Sequence, residues 1–251
     1  MSLSSSYSLK NSKAESAKSR ELLTAILRLT NSKEFFTIKE LSEESLTPQD
    51  LAEDALELLV KEKLAVRDGS FFKIEPAYKV LIAVKAVRLG ADAEGVSRHI
   101  SWREFEQFIE YALNFSNYLT TRHHYFKSGR KRYEVDVVGV CGQIVVAVDC
   151  KHWSSNWKHG EIKKSALAQL ERVRSLSSVE GLNELAAKLR VGLSGWIYVT
   201  PVVATFKETA VKVYAGVPIV PVYKFGAFLG ELLGYLPYLS TFRVNLSEHF
   251  P

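Results

Sequence analysis

Three charged side chains stand where strands ought to be apolar. Asp136 interrupts RYEVDVVGV, and Asp149 and Lys151 close QIVVAVDCK about a dozen residues later. Such strand ends suit one of two chemistries. Lys151 can simply neutralise Asp149 as a surface ion pair, or the carboxylate oxygens can hold a hard cation with the ammonium at its side.

The spacing favours convergence. If Cys141 and Gly142 form the tight turn between the two strands, Asp136 faces Ala147 and Glu134 faces Asp149. The two-residue period of a strand then puts Glu134, Asp136, Asp149 and Lys151 on one face, with Val135, Val137, Val146, Val148 and Cys150 on the other. Asp136 and Asp149 become diagonal neighbours, about 7–8 Å apart at the backbone. Like charges across a ladder destabilise it, and an oxygen-only cluster suits Mg²⁺ or Mn²⁺ rather than zinc. A slip of one residue would send the acids of the two strands to opposite faces.

Asp136 followed by Asp149-Cys-Lys151 on the next strand resembles the PD-(D/E)xK nuclease superfamily, with its restriction-endonuclease-like fold. YEVDVVG and DCKHW are most similar in wording to the Mrr-type restriction endonucleases and their archaeal relatives. Glu106, within EFEQF, is similar to the helix-borne acid of many such proteins. The resemblance spans residues 101 to about 223; aspartate stands at 149 where glutamate is commoner, and no proline precedes Asp136. It implies a Mg²⁺- or Mn²⁺-dependent DNA endonuclease. Asp136, Asp149, Glu106 and the backbone carbonyl of Cys150 would ligate the metal, and Lys151 would orient the attacking water and offset transition-state charge. Gln169, on the following helix, would support the site. Periodicity by itself places Glu106 at the border of its helix's apolar stripe. It places Gln169 inside the stripe of Ile162, Ala166, Leu170 and Val173, where an amide needs a partner. A non-catalytic nucleic-acid-binding or assembly subunit that keeps the fold is the alternative.

The net charge of +5 is unevenly spread: residues 1–100 carry 15 Lys+Arg against 15 Asp+Glu, and residues 101–251 carry 18 against 13. The excess centres on the proposed site. Lys127, Arg130, Lys131, Arg132, Lys163 and Lys164 flank it, either as a phosphate track or as an ordinary solvated face. His152, Trp153 and Trp157 follow Lys151 and can stack on an unpaired base or anchor the loop. His123 and His124 lack a spaced third ligand for zinc.

Elements that could position these residues are legible along the chain. With 251 residues, 47% hydrophobic and 24% charged, one large or two modest domains are expected. No apolar run approaches the roughly 20 residues of a membrane helix, and the N-terminus lacks the apolar centre of a signal peptide. Cys141 and Cys150 on one hairpin lie too far apart to bridge. A cytoplasmic protein with reduced thiols, DNA as partner and no membrane contact is the expectation.

Residues 1–17 read as a flexible tail and 18–75 as a winged-helix-like domain. Its markers are a Thr37/Glu40 capping box, Thr47-Pro48 opening a third helix, and a hairpin at Asp68-Gly69. That third helix carries Asp50, Glu53, Asp54 and Glu57, which repel phosphate, so packing or dimerisation is expected of it. Residues 76–100 form a connecting helix and linker.

Residues 101–251 read as the nuclease-like domain: a helix, three strands, the helix HGEIKKSALAQLERVRSL, the strand GWIYVT, the helix ATFKETAVKVYA, the strand VPIVPVY and a last helix. The fold class is therefore α/β, a mixed sheet flanked by helices and preceded by a helical domain. A symmetric homodimer follows if the substrate is duplex, because two strands need two sites.

Overall fold

No glycine or proline interrupts residues 1–32, and the first helix, α1 (Ser4–Ser32), accordingly takes in most of the stretch expected to be a tail. The computed structural model describes the backbone of residues 4–151 and 159–246, and the side chains of 15–151 and 160–246. The chain divides into two units, Met1–Glu104 and Phe105–Pro251.

In the first unit α1 is followed by β1 (Phe36–Thr37), α2 (Ile38–Ser45), α3 (Gln49–Lys61), β2 (Val66–Asp68), β3 (Phe71–Lys73), α4 (Pro76–Arg88) and α5 (Ala93–Ser97). The Thr37 hydroxyl accepts the Glu40 N–H and the Glu40 carboxylate accepts the Thr37 N–H, forming the expected capping box. Pro48, not Thr47, is the N-cap of α3, and the Thr47 hydroxyl pairs with Ser45 Oγ instead. The strands form an antiparallel sheet in the order β1-β3-β2. Gly69, at φ 61°, makes the turn between β2 and β3 that a side chain would strain. Ile26, Leu27, Phe36, Leu41, Leu56, Phe72 and Ile82 are fully buried and form this unit's core.

The second fold opens with α6 (Trp102–Phe115), whose one face buries Phe105, Glu106, Phe108, Ile109, Ala112 and Leu113. β4 (Leu119–Ser128), β5 (Lys131–Cys141) and β6 (Ile144–Lys151) form an antiparallel meander. α7 (His159–Leu176) and α8 (Val179–Leu189) cross over to β7 (Trp196–Thr205), which runs parallel to β6. β8 (Val213–Tyr214), β9 (Val217–Pro221), α9 (Phe225–Tyr235) and β10 (Phe242–Asn245) complete the unit. The seven-stranded sheet is mixed, in the order β4-β5-β6-β7-β9-β8, with β10 pairing the start of β7 and β9 its end. Val138, Val140, Val145 and Ala147 pack beneath Val173 and Leu176 of α7 and Leu182 and Leu185 of α8.

Two further expectations differ from the structure. The helix ATFKETAVKVYA does not form. Val203, Ala204 and Thr205 are claimed by ladders to β6 and β9, and the Thr205 and Thr209 hydroxyls donate to the carbonyls of Lys207 and Val211, so the segment folds into turns and β8. The β5–β6 turn lies at Gly142-Gln143, with Cys141 opposite Ile144, one residue later than expected. Gly142 has φ 56°, which only glycine adopts without strain. Moving the turn by one residue shifts the pairing by two, an even slip that leaves side chains on their faces.

Gly139 sets the depth of α6. A Cβ there would stand 3.1 Å from Leu113 Cδ2 and 3.2 Å from Tyr118 Cβ. Gly139→Val is expected to lower stability by about 2 kcal/mol through overpacking, read as a fall in the urea midpoint with unchanged slope.

Candidate active site at the parting of two strands

The site is built where the β5–β6 ladder ends. Pairing runs from Cys141↔Ile144 to Val137↔Val148, and the next step would set Asp136 against Asp149. Asp136 Oδ2 instead accepts the Cys150 N–H at 2.7 Å, so a carboxylate replaces a backbone carbonyl at the point where the strands part. On its other side β5 is paired with β4 at Arg122↔Val137 and His124↔Val135, skipping His123, whose φ is 49°. Val135 and Val138 both join the cluster beneath α7 and α8, although residues three apart on a regular strand point oppositely. Strand alternation therefore breaks at Asp136.

β6 is held straight by eight consecutive parallel pairs to β7, from Ile144↔Tyr198 to Lys151↔Thr205. Asp149 is consequently fixed on the face beneath α7 and is only 2% exposed. Lys151 Nζ donates to Asp149 Oδ1 at 2.9 Å and lies 2.8 Å from Oδ2, and Arg172 Nη1 of α7 donates to Oδ1 at 2.9 Å. Oδ2 is buried and receives the ammonium's charge without a well-directed hydrogen bond. Burial, and then the charge of Asp149, push the Asp136 carboxyl up to about 6; Glu106 adds to this, and the Cys150 N–H and Lys151 oppose it. Burial also holds the Cys150 thiol well above its usual range, so its backbone, not its sulfur, belongs to the site's chemistry.

Gln169 is fully buried, and the structure supplies the partners its place in an apolar stripe demands. Its Nε2 donates to the Ala147 carbonyl at 2.8 Å, and its Oε1 accepts from Arg172 Nη1. Arg172 is a site residue the sequence reading missed; it stands one turn after Gln169, on the same side of α7.

Glu106 is buried on α6, and its charge reaches Asp136, but its Oε2 lies 3.3 Å from His123 Nε2. His123 Nδ1 in turn lies 3.0 Å from Glu134 Oε1. Glu134 therefore belongs to this second group and not, as expected from strict alternation, to the face of Asp149 and Lys151. Among the described residues no group of three or more His, Cys, Asp or Glu side chains is arranged to hold a metal ion. The Asp136–Asp149 pair still fits a hard divalent cation. Both are oxygen donors within each other's field, Asp149 Oδ2 is buried without a hydrogen bond, and a cation would relieve the repulsion that lifts the Asp136 carboxyl.

No family model matches the sequence, and no curated protein matches it. Solved structures similar to the chain, at low TM-scores, include the following two. Protein VC1899 from Vibrio cholerae has 13% identity and a TM-score of 0.33, with 90% of this chain covering 53% of that one. Can2 from Sulfobacillus thermosulfidooxidans, solved with cyclic tetra-adenylate, has 13% identity and a TM-score of 0.32, with 86% of this chain covering 51% of that one. The chain thus spans about half the length of either.

The basic residues sit at the site's end of the sheet. The C-terminal end of β6 and the N-terminal end of β5 coincide, because the two strands are antiparallel. Lys127 pairs with Arg132 across the β4–β5 hairpin, whose tip carries Arg130 and Lys131. All four are exposed, as are Lys163 and Lys164 near the start of α7. Three have local partners: Lys131 binds Glu171 at 2.5 Å, Arg132 lies over Tyr125, and Lys163 lies over Tyr214. His152, Trp153 and Trp157 lie outside the described residues. Among the described residues no helix is long and apolar enough to cross a membrane.

His124, beside the site, is 2% exposed, stacks on Phe126, and has neither ring nitrogen hydrogen-bonded. Burial, helped by Lys188, pushes its imidazole down to about 4, so the fold refuses a proton that the unfolded chain accepts below about 6.5. Its stability penalty is absent above pH 6.5 and grows as pH falls toward 4, reaching about 2–3 kcal/mol. His124→Phe is expected to melt higher than wild type, by a margin that widens from pH 7 to pH 5 in thermal scans.

Proposed function

We propose that residues 105–251 form a metal-dependent endonuclease that hydrolyses phosphodiester bonds in DNA. The observation that carries this reading is that Asp136 and Asp149 stand one step beyond the last β5–β6 pair, within each other's field, with the Lys151 ammonium 2.8 Å from Asp149. Asp136, Asp149 and the Cys150 carbonyl would hold a Mg²⁺ or Mn²⁺ ion, and Glu106 would join them if it leaves His123. The bound ion would polarise the phosphoryl oxygen and lower the pKa of a coordinated water. Lys151 would orient the water and offset charge gathering on the phosphate. Gln169 ties α7 to β6 through the Ala147 carbonyl and keeps the carboxylate's strand in place. Lys127, Arg130, Lys131, Arg132, Lys163 and Lys164 would track the backbone, and His152 and Trp153 would stack beside it.

Read as a winged helix, the first unit would use its acidic α3 for protein contacts rather than for phosphate, and a homodimer would present two sites to a duplex. The test is nicking of supercoiled plasmid with Mg²⁺ or Mn²⁺. Cleavage by wild type that Asp136→Ala and Asp149→Ala abolish, with melting transitions intact, supports the proposal; a wild type that cuts no duplex, branched or single-stranded DNA refutes it.

One observation favours a second reading. The charge of Asp149 is already matched by Lys151 and Arg172, as in a closed ion cluster of a non-catalytic nucleic-acid-binding or assembly subunit. That reading expects DNA binding unaffected by divalent ions.

A further inference from the structure

We infer that Arg172 is a built-in counter-ion of the site, which occupies Asp149 while no divalent cation is bound and yields that carboxylate to the cation, turning its guanidinium to the substrate phosphate. The inference rests on the metal-dependent reading and names a residue that reading does not use.

Gln169 sets the position of Arg172. Its amide is locked in the core, because Nε2 is committed to the Ala147 carbonyl at 2.8 Å, and this commitment aims Oε1 at Arg172. A fully buried amide has no solvent to fall back on, so α7 keeps a polar group in its apolar stripe in order to hold a guanidinium at a fixed place. That place is Asp149 Oδ1, 2.9 Å from Nη1, and the Arg172 side chain remains 22% exposed. The guanidinium therefore bridges the buried carboxylate and the solvent edge, where a phosphodiester strand would pass.

Charge counting gives the switch its direction. Asp149 needs one cation, and Lys151 already lies 2.8 Å away. With Asp136 ionised, the four groups Asp136, Asp149, Lys151 and Arg172 sum to zero, so Arg172 supplies the positive charge that balances the second acid. A divalent ion on the two carboxylates makes that guanidinium superfluous and repels it. A phosphodiester anion then offers it two oxygens in the fork geometry that arginine matches best. Gln169 Oε1 remains as a tether, so the shift is a local swing.

Competition for one carboxylate has a reciprocal signature: if Arg172 weakens cation binding, its removal strengthens it, by about tenfold within the usual range of site coupling. A residue that merely supported Asp149 would do the opposite. The experiment is a calorimetric titration of the whole protein with Mn²⁺, comparing wild type, Arg172→Gln and Arg172→Lys, with melting curves taken without metal. It is joined by binding of a fluorescent 30-mer duplex in Ca²⁺.

The expected result is Mn²⁺ bound about tenfold more tightly by Arg172→Gln, an intermediate value for Arg172→Lys, and duplex bound several-fold more weakly by Arg172→Gln. Should Arg172→Gln fail to fold, Arg172→Lys, which keeps the charge but loses the planar fork, decides the matter by the same ordering. Mn²⁺ affinity unchanged or weakened in the folded variant overturns the inference while leaving the metal site standing. Absence of Mn²⁺ heat from wild type and variants alike overturns the metal-dependent reading itself.

Discussion

Lys151→Met is expected to lower plasmid nicking by about 10²–10³-fold while leaving Mn²⁺ binding within a few-fold of wild type. The ammonium lies 2.8 Å from one oxygen of Asp149 and 2.9 Å from the other, at the exit of a strand that β7 holds rigidly through Lys151↔Thr205. A donor fixed in this way costs no reorganisation when charge builds on a phosphate, and methionine keeps the stem while removing the charge. Single-turnover nicking at saturating Mn²⁺ separates this effect from metal loss. A residual rate near wild type would assign Lys151 to the ion pair alone. Asp149 retains Arg172 in the variant, so its charge is not left buried without a partner.

Asp136→Asn is expected to do two opposed things: abolish Mn²⁺ binding and stabilise the metal-free protein at neutral pH. The carboxyl of Asp136 is pushed up to about 6 from an ordinary 3.8, first by burial and then by the charge of Asp149. The fold thus binds the proton more tightly than the unfolded chain does. Asp136 costs the fold nothing below about pH 4, and its penalty grows as pH rises through 6, to about 2–3 kcal/mol. An asparagine can still accept the Cys150 N–H that Asp136 Oδ2 accepts at 2.7 Å, so the ladder end survives. Thermal scans should show the variant above wild type at pH 8, level with it at pH 4, and overtaken when Mn²⁺ is added to wild type. Stability given up at one acid and recovered by a ligand is the usual relation between a functional site and its fold. A variant less stable than wild type at pH 8 would mean that Asp136 serves the fold.

The sheet and its flanking helices were legible because strand and helix periods differ and their apolar faces are long. RYEVDVVGV and QIVVAVDCK are strands in the structure, and the parity of Asp149 and Lys151 survived a misplaced turn because the error was even. Glu134 was misplaced for the converse reason. The skipped pair at His123 and the broken alternation at Asp136 are irregularities of one residue, invisible to a pattern that assumes period two. Gln169 betrayed itself as an amide in an apolar stripe. Arg172 did not, since an arginine at the edge of a helix is ordinary until the strand beneath it is known. Segment 204–215 shows the limit of local propensity: strand partners distant in sequence decided it.

On the proposed reading Asp136 and Asp149 share one divalent cation. The most direct measurement of this is the anomalous scattering of a crystal soaked with Mn²⁺. One strong peak per chain is expected, within about 2.0–2.3 Å of oxygens from both Asp136 and Asp149, with Lys151 adjacent. An Asp149 still bound to Lys151 and Arg172 at saturating Mn²⁺, with no peak between it and Asp136, would overturn the shared-cation site.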